Sequence, residues 1–299
     1  MFSLEKEPLV YIDGRFYPKS EAKISVYDHG FLYGDGVFEG IREYNGVIFK
    51  LREHVDRLYR SAKSMMLNIP MTKEEMVNAV VETVRINELR DAYIRLVVTR
   101  GVGTLGLDPR RCSRPSVIII AEEVLRLYGE DPLEKGVKAI ICWVKRDPVD
   151  GTSHEIKSLN YLNSVLAKIE ANLCGADEAI FLNSQGHIVE GTSDNIFIIR
   201  KGDVLTPPTS SGALEGITRQ VVIEVAQNLG LKVYEQNITP HMLFNADEAF
   251  FTGTAAEVVP LIEVNGRPIG NGRPGELTKK IAYEFRKVVS DPRNGVKVF

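Results

Sequence analysis

Apolar residues recur along this chain in two rhythms. Spacing of three and four residues predicts helices. "REHVDRLYRSAKSMML" (52–67) carries Val55, Leu58, Tyr59, Ala62, Met65 and Met66 on one face. "TKEEMVNAVVETVRINEL" (72–89) is a second helix, with Thr72 as its cap and Glu75 completing a capping box. "LNYLNSVLAKIEANLCG" (159–175) puts Tyr161, Leu162, Val165, Leu166 and Ile169 on one stripe, which predicts a core-facing helix from Asn160 onward. "TRQVVIEVAQNLG" and "GELTKKIAYEFRKVV" follow, and Gly175 and Gly230 stand where helices commonly stop.

The second rhythm is that of strands. "EPLVYIDGRFYP" reads as a hairpin turning at Asp13-Gly14, and "GVFEGIREYNGVIFKL" as one turning at Asn45-Gly46. "AYIRLVVTR", "PSVIIIAEE", "VKAIICWVKR", "EAIFLNSQGHIVEG", "NIFIIRKGDVLTPP" and "EAFFTGTAAEVVPLIEVNGRPIG" are further strands or hairpins. So many hairpins predict mixed sheets, not a doubly wound parallel fold, and place the chain in the α/β class, of α+β type. The polar stretch "LRLYGEDPLEKG" divides it into a small α/β domain (1–122), a linker (123–134) and a larger α/β domain (135–299).

Composition removes several classes of function. A net charge of −3 over 299 residues, with no long run of like charges, predicts neither nucleic acid nor an anionic membrane as partner. No apolar stretch has the roughly 20 residues needed to span a bilayer, and the N-terminal "MFSLEKEPLVYIDG" lacks the pattern of a secretory signal. Cys112, Cys142 and Cys174 are odd in number and widely spaced, which predicts a reducing cytoplasm and neither a disulfide framework nor a zinc site. With five scattered histidines, no metal site is expected.

The motifs are then few. "GVGTLG" (101–106) matches G-x-G-x-x-G formally, but "LDPRRC" follows it and Pro109 denies it the helix that a dinucleotide pyrophosphate needs. Gly216, Ile217 and Thr218 open an amphipathic helix whose free amides suit a phosphate, or Thr218 is merely an N-cap. "TGTAAE" (252–257) permits close backbone approach by a ligand, or is merely a tight turn. Glu190, in "VEGTSDNIF", suits a protonated ring nitrogen, or caps the turn formed by Gly191, Thr192 and Ser193. Lys157, before the helix in "HEIKSLNYLNSVLAK", is by default a solvated charge.

Taken in order, "YGDGVFEGIR" (33–42), "EHVDRL" (53–58), "AYIR" (92–95), "IKSLNYLNSVLAK" (156–168), "VEGTSDNIF" (189–197), "ALEGITR" (213–219) and "TGTAAE" resemble the fold-type IV pyridoxal-phosphate enzymes. Within that group the chain looks most like a branched-chain amino acid aminotransferase. The resemblance implies a two-domain fold with the site between the domains. It implies that Lys157 carries the Schiff base to pyridoxal 5′-phosphate, that Glu190 pairs with the pyridine nitrogen and that Tyr161 bonds O3′. Arg57, Gly216, Ile217, Thr218 and Thr254 would hold the phosphate, and Leu214 would pack on the ring.

For substrate, the resemblance implies a pocket of Tyr33, Phe38 and Ala256, with Tyr93, Thr254 and Ala255 receiving the α-carboxylate. Arg95 would receive the distal carboxylate of glutamate, with a structural ion pair as its other reading, and Leu107 would reach the partner's site in a homodimer. The implied reaction moves the amino group of Leu, Ile or Val to 2-oxoglutarate, giving branched 2-oxo acids and L-glutamate. The stretch "KSLNY" is one residue shorter than the "KAGGNY" usual in bacterial branched-chain enzymes. "IKSLN" also resembles D-amino acid aminotransferases, R-selective amine transaminases and, more loosely, aminodeoxychorismate lyases, which cut a C–C bond. The D-specific loop pattern P-R-x-H is not matched, since the loop here reads "DPRRCSRP".

Overall fold

The structure, a computed structural model, describes residues 7–124 and 127–299. Part of the expected linker, residues 125 and 126, lies outside the described residues. The chain forms two compact units, and the division is not linear in sequence. Residues 156–160 and 289–299 pack with the N-terminal unit, and residues 127–155 and 161–288 form the other.

The first unit is built on one antiparallel sheet. Its strands are β1 (Leu9–Ile12), β2 (Arg15–Pro18), β3 (Gly36–Tyr44), β4 (Val47–Phe49), β5 (Ala92–Thr99) and β6 (Ser116–Glu123), closed at one edge by β15 (Gly295–Lys297). The order is β15-β4-β3-β5-β6-β1-β2. Asp13-Gly14 and Asn45-Gly46 all have positive φ, as two-residue hairpin turns require. The helices are α1 (His29–Tyr33), α2 (Leu51–Ser64) and α3 (Lys73–Ile86). The capping box of Thr72 and Glu75 forms as expected. Odd positions of β3 (Val37, Glu39, Ile41) face the core, where Val55, Leu58 and Ala62 of α2 meet them.

Strand β3 explains why residues 156–160 belong here. Along one side β5 pairs with residues 36–42, but β4 covers only residues 43–44 on the other side. The uncovered end is filled by the lysine segment. Phe38 N–H donates to Lys157 O at 3.0 Å, and Leu159 N–H donates to Gly36 O at 2.9 Å. Backbone groups that would otherwise be left unpaired thereby gain partners.

The second unit holds a mixed sheet of β7 (Val137–Lys145), β8 (Glu178–Leu182), β9 (Asn195–Arg200), β10 (Asp203–Thr206), β11 (Val233–Glu235), β12 (Glu248–Gly253) and β13 (Glu257–Val264), with β14 (Arg267–Pro268) paired to β13. β7 runs parallel to both β8 and β13. Its helices are α4 (Pro132–Lys135), α5 (Leu162–Leu173), α6 (Ile217–Asn228), α7 (Pro240–Phe244) and α8 (Glu276–Ser290), the last running into the first unit's C-terminal stretch.

The expected core-facing stripe of α5 is corrected by the structure. Leu162, Val165, Leu166 and Ile169 are 70, 52, 41 and 49% exposed, and the buried face is Ser164, Ala167 and Ala171. Small residues let the helix approach β7 and β8 closely, next to Ile140, Cys142 and Phe181. The large apolar residues are left facing outward. No helix among the described residues is long and apolar enough to cross a membrane.

Candidate active site

In the first unit, helix α2 presents His54, Arg57 and Ser61 on one face, three or four residues apart. Arg57 grips the buried Glu39 through two bonds, Nε to Oε1 at 2.8 Å and Nη2 to Oε2 at 2.7 Å. His54 Nδ1 lies 2.8 Å from the same carboxylate. Burial by itself would raise the Glu39 pKa, but Arg57 and His54 outweigh it and hold the carboxyl at about 2. One turn on, Ser61 Oγ accepts the Lys157 N–H at 3.1 Å. The helix face that fixes Arg57 thus also fixes the backbone of Lys157.

The even positions of β3 form a second surface with β5. Lys157 Nζ lies 4.5 Å from the centre of the Phe38 ring, and Arg95 Cζ lies 3.4 Å from it. Arg95 stands opposite Gly40 in the register, with Tyr93 opposite Arg42. A Cβ on Gly40 would come within 2.2 Å of the Tyr93 hydroxyl, so the bare glycine is what lets that hydroxyl lie across the strand. Phe38, Tyr93, Arg95 and Lys157 are therefore one cluster. Tyr33 is bonded to the loop that follows β5. Its hydroxyl accepts the Gly106 N–H at 2.9 Å and holds the loop whose Leu107 is 80% exposed. "GVGTLG" is that loop, and as expected it opens no α-helix, only a short 3-10 turn at Pro109–Arg111.

In the second unit, Glu190 follows an extended stretch paired to β8, with Phe181 N–H donating to Glu190 O at 2.9 Å. Its carboxylate is buried and held by three donors. Arg146 Nη2 lies 2.8 Å from Oε1, while Leu214 N–H at 3.0 Å and Asn195 Nδ2 at 3.3 Å donate to Oε2. Glu190 does not cap the following turn. Thr192 N–H goes to Glu178 Oε1 at 3.0 Å and Gly191 N–H to Asp194 O at 2.7 Å.

The same network locates the start of α6. A Cβ on Gly216 would meet Asn195 Oδ1 at 2.0 Å, so only glycine fits beside that amide. Gly216, not Thr218, is the N-cap, and no side chain caps the helix. Amides at such an end suit an anion. Thr254, Ala255 and Ala256 form the turn between β12 and β13, closed by the pair Gly253 and Glu257. Beside it, Thr252 Oγ1 is buried without a partner. Tyr161 is the N-cap of α5 and packs edge-on against His154, with ring centres 5.8 Å apart. His154 bonds Asp147 at 3.0 Å, and burial, then Arg146, lowers its pKa.

Sequence reasoning missed Glu39, Arg146 and Asn195. Parity would have found Glu39, since it shares the inward face of β3 with Val37 and Ile41. Arg146 and Asn195 leave no local signal, because their partners lie 44 and 19 positions away in the chain for Arg146 with Glu190 and Asn195 with Leu214.

The first unit carries an amine and an arginine, and the second carries an uncapped helix start and a carboxylate held rigidly by an arginine, each a donor of a kind that suits an aromatic, phosphate-bearing cofactor. The sequence model of the amino-transferase class IV family matches residues 36–264. A putative branched-chain-amino-acid aminotransferase of Methanocaldococcus jannaschii is 55% identical over 290 residues, covering 97% of this chain and 99% of that one. The structure of a branched-chain aminotransferase from Thermoproteus uzoniensis with norvaline superposes with a TM-score of 0.92 at 41% identity, covering 98% and 100%. That of a branched-chain amino acid aminotransferase from Thermobaculum terrenum in its PLP-form superposes at 0.85 with 33% identity, covering 95% of this chain and 94% of that one.

Proposed function

The chain belongs to the class IV amino-transferase family, and we propose that it is a pyridoxal-phosphate-dependent aminotransferase of leucine, isoleucine and valine. The observation that carries this reading is Glu190, a buried carboxylate held by Arg146, Asn195 and the Leu214 amide. A carboxylate so fixed retains a proton on a pyridine nitrogen set against it. When bound, pyridoxal phosphate supplies an aldehyde carbon for the amino group and a ring that takes up the electron pair left at the substrate Cα.

The protein residues do the rest. Lys157 Nζ would hold the cofactor between turnovers and, as a free amine with substrate in place, would move the proton from the substrate Cα to the cofactor's aldehyde carbon. Tyr161 bonds O3′. It follows Lys157 by only four residues in sequence, so their Cα atoms are at most about 14 Å apart. Arg57 and the amides of Ile217 and Thr218 hold the phosphate, with Gly216 leaving that helix start uncapped and Thr254 adding a hydroxyl. Leu214 contributes its amide to Glu190 and its side chain to the ring.

We take 2-oxoglutarate as the amino acceptor. Arg95 and Lys157 both lie against Phe38, which sets a second cation beside the reacting amine. That arrangement suits a substrate with a second carboxylate. We assign Tyr93, Thr254 and Ala255 to the α-carboxylate, and Tyr33, Phe38 and Ala256 to the substrate side chain. A second copy of the chain is assigned to the outward face of α5, where Leu162, Val165, Leu166, Ile169 and Leu173 are exposed together with Trp143. Leu107 is assigned to the partner's pocket. A cytoplasmic location accords with three cysteines carried as free thiols.

The experiment is a substrate panel on the holoenzyme. L-leucine with 2-oxoglutarate is expected to exceed D-alanine and a chiral amine, and borohydride is expected to fix the cofactor to Lys157. Predominant D-alanine turnover, or a protein left colourless by added pyridoxal phosphate, overturns the reading.

A further inference from the structure

Behind the Glu190 turn lies a group of ionisable side chains, one half-buried and two buried, that the reaction does not use. Tyr128 Oη is 2.9 Å from Glu178 Oε2 and 2.5 Å from Asp194 Oδ2. Glu178 and Asp194 are 1 and 4% exposed. A phenol has one proton to give. It can donate to one carboxylate, and the other must then bring a proton of its own, or two negative oxygens would face the phenol oxygen from both sides. The distances therefore count protons, and the pair carries at least one.

The surroundings say which carboxyl holds it. Glu178 Oε1 accepts two backbone amides, Thr192 at 3.0 Å and Ala179 at 2.8 Å, and Lys168 Nζ lies 3.6 Å from Oε2. Those contacts favour a charged Glu178. Asp194 bonds Tyr128 through one oxygen, and its other oxygen lies so close to Gly253 that a Cβ there would be 1.9 Å away. Burial, then the charge of Glu178, raises the Asp194 pKa to about 7, against the opposing effects of the Tyr128 hydrogen bond and of Lys168, with Glu190 adding to the rise. Tyr128 is pushed up as well, first by burial and then by Asp194 and Glu178.

We propose that Tyr128, Glu178 and a protonated Asp194 form a latch that holds the turn 191–195 against Gly253, and that Asp194 is thereby a positioning residue for Glu190 and for the turn at Thr254. The connection is short. Asp194 O accepts the Gly191 N–H, next to Glu190, and the adjacent Asn195 bonds the Glu190 carboxylate. Glu178 holds the amide of Thr192 within the same turn. Gly253 immediately precedes Thr254. Ionising Asp194 places a second negative charge beside Glu178 and Tyr128 and loosens both turns together.

This proposal rests on the role given to Glu190 only for its effect on the cofactor, so the test has two arms. In the first, thermal unfolding of the cofactor-free protein is followed from pH 4 to pH 8.5 for the natural chain, Asp194→Asn and Tyr128→Phe. An Asp whose folded pKa is raised loses relative stability as pH climbs from its unfolded value through the folded one. The advantage of Asp194→Asn over the natural chain is therefore expected to grow across that window and to level off above it. An advantage that does not vary with pH overturns the latch.

In the second arm, the near-visible band of the holoenzyme and the rate of pyridoxal-phosphate release are measured at pH 6. Asp194→Ala and Tyr128→Phe are expected to shift the band and speed release about tenfold or more. Asp194→Asn, which keeps a donor for Tyr128, is expected to restore both. Equal defects in Asp194→Asn and Asp194→Ala overturn the positioning role. A natural chain that takes up no cofactor defeats the functional reading, while the first arm still decides the latch.

Discussion

The hydroxyl of Tyr93 lies across the Cα of Gly40, in space that any side chain at position 40 would fill. The contact joins neighbouring strands of the first unit on the face that also carries Phe38, Arg95 and Lys157. Gly40→Ala is expected to push the phenol aside. An overpacked contact of this kind costs about 1–3 kcal/mol. With Tyr93 assigned to the α-carboxylate, steady-state kinetics should give a KM for L-leucine raised about tenfold, with kcat changed less. An unchanged KM would remove Tyr93 from that role.

Arg146 and Glu190 are a buried ion pair, with side chains 2 and 5% exposed. Arg146→Met leaves a buried carboxylate without its cation, at a cost on the order of 3–5 kcal/mol. Adding Glu190→Gln removes the stranded charge and should recover a large part of that loss. Urea unfolding of the single and double variants measures both effects. The double variant should fold yet turn over slowly, since no carboxylate remains to keep the ring nitrogen protonated.

Glu39 gives a dependence on acid. Its carboxyl is held at about 2 against an ordinary 4.5, because Arg57 and His54 outweigh the effect of burial. A depressed carboxyl stabilises the fold above its unfolded pKa, and that contribution disappears as pH falls toward the folded value. The natural chain should therefore lose more stability between pH 5 and pH 2.5 than Glu39→Gln. Unfolding midpoints across that range test the sign. A parallel fall in both proteins would mean that the Glu39–Arg57 pair is not what fails first in acid.

The outward face of α5 gives a test of assembly. Leu166→Glu with Ile169→Glu places charges on an exposed apolar surface without touching Ala167 or Ala171, which pack inward. Sedimentation should find the natural chain at least dimeric and the double variant monomeric, with the far-ultraviolet circular dichroism of both alike. An unchanged sedimentation coefficient would move the interface away from α5.

Arg95→Ala separates the two half-reactions. The glutamate half should slow about a hundredfold and the leucine half only a fewfold, because leucine brings no second carboxylate to the guanidinium. Single-turnover absorbance changes with each amino acid read this directly. Equal loss in both would return Arg95 to a structural role against Phe38.

The sequence by itself determined the local structure. Alternation and turn residues placed the hairpins at Asp13-Gly14 and Asn45-Gly46, and the Thr72–Glu75 box fixed the start of α3. These features depend on neighbours a few residues away, and local patterns encode such interactions. Tertiary structure decided which face of α5 is buried. Its apolar stripe marks a helix but does not say what covers the stripe, and the close approach to β7 and β8 selected the small residues. Tertiary structure also returned residues 156–160 to the first unit, because β3 had an uncovered edge at Gly36–Phe38. It set Arg146 against Glu190 and Asp194 against Tyr128 and Gly253. Those partners are brought together only when distant strands and loops pack, so no periodicity in the chain records them.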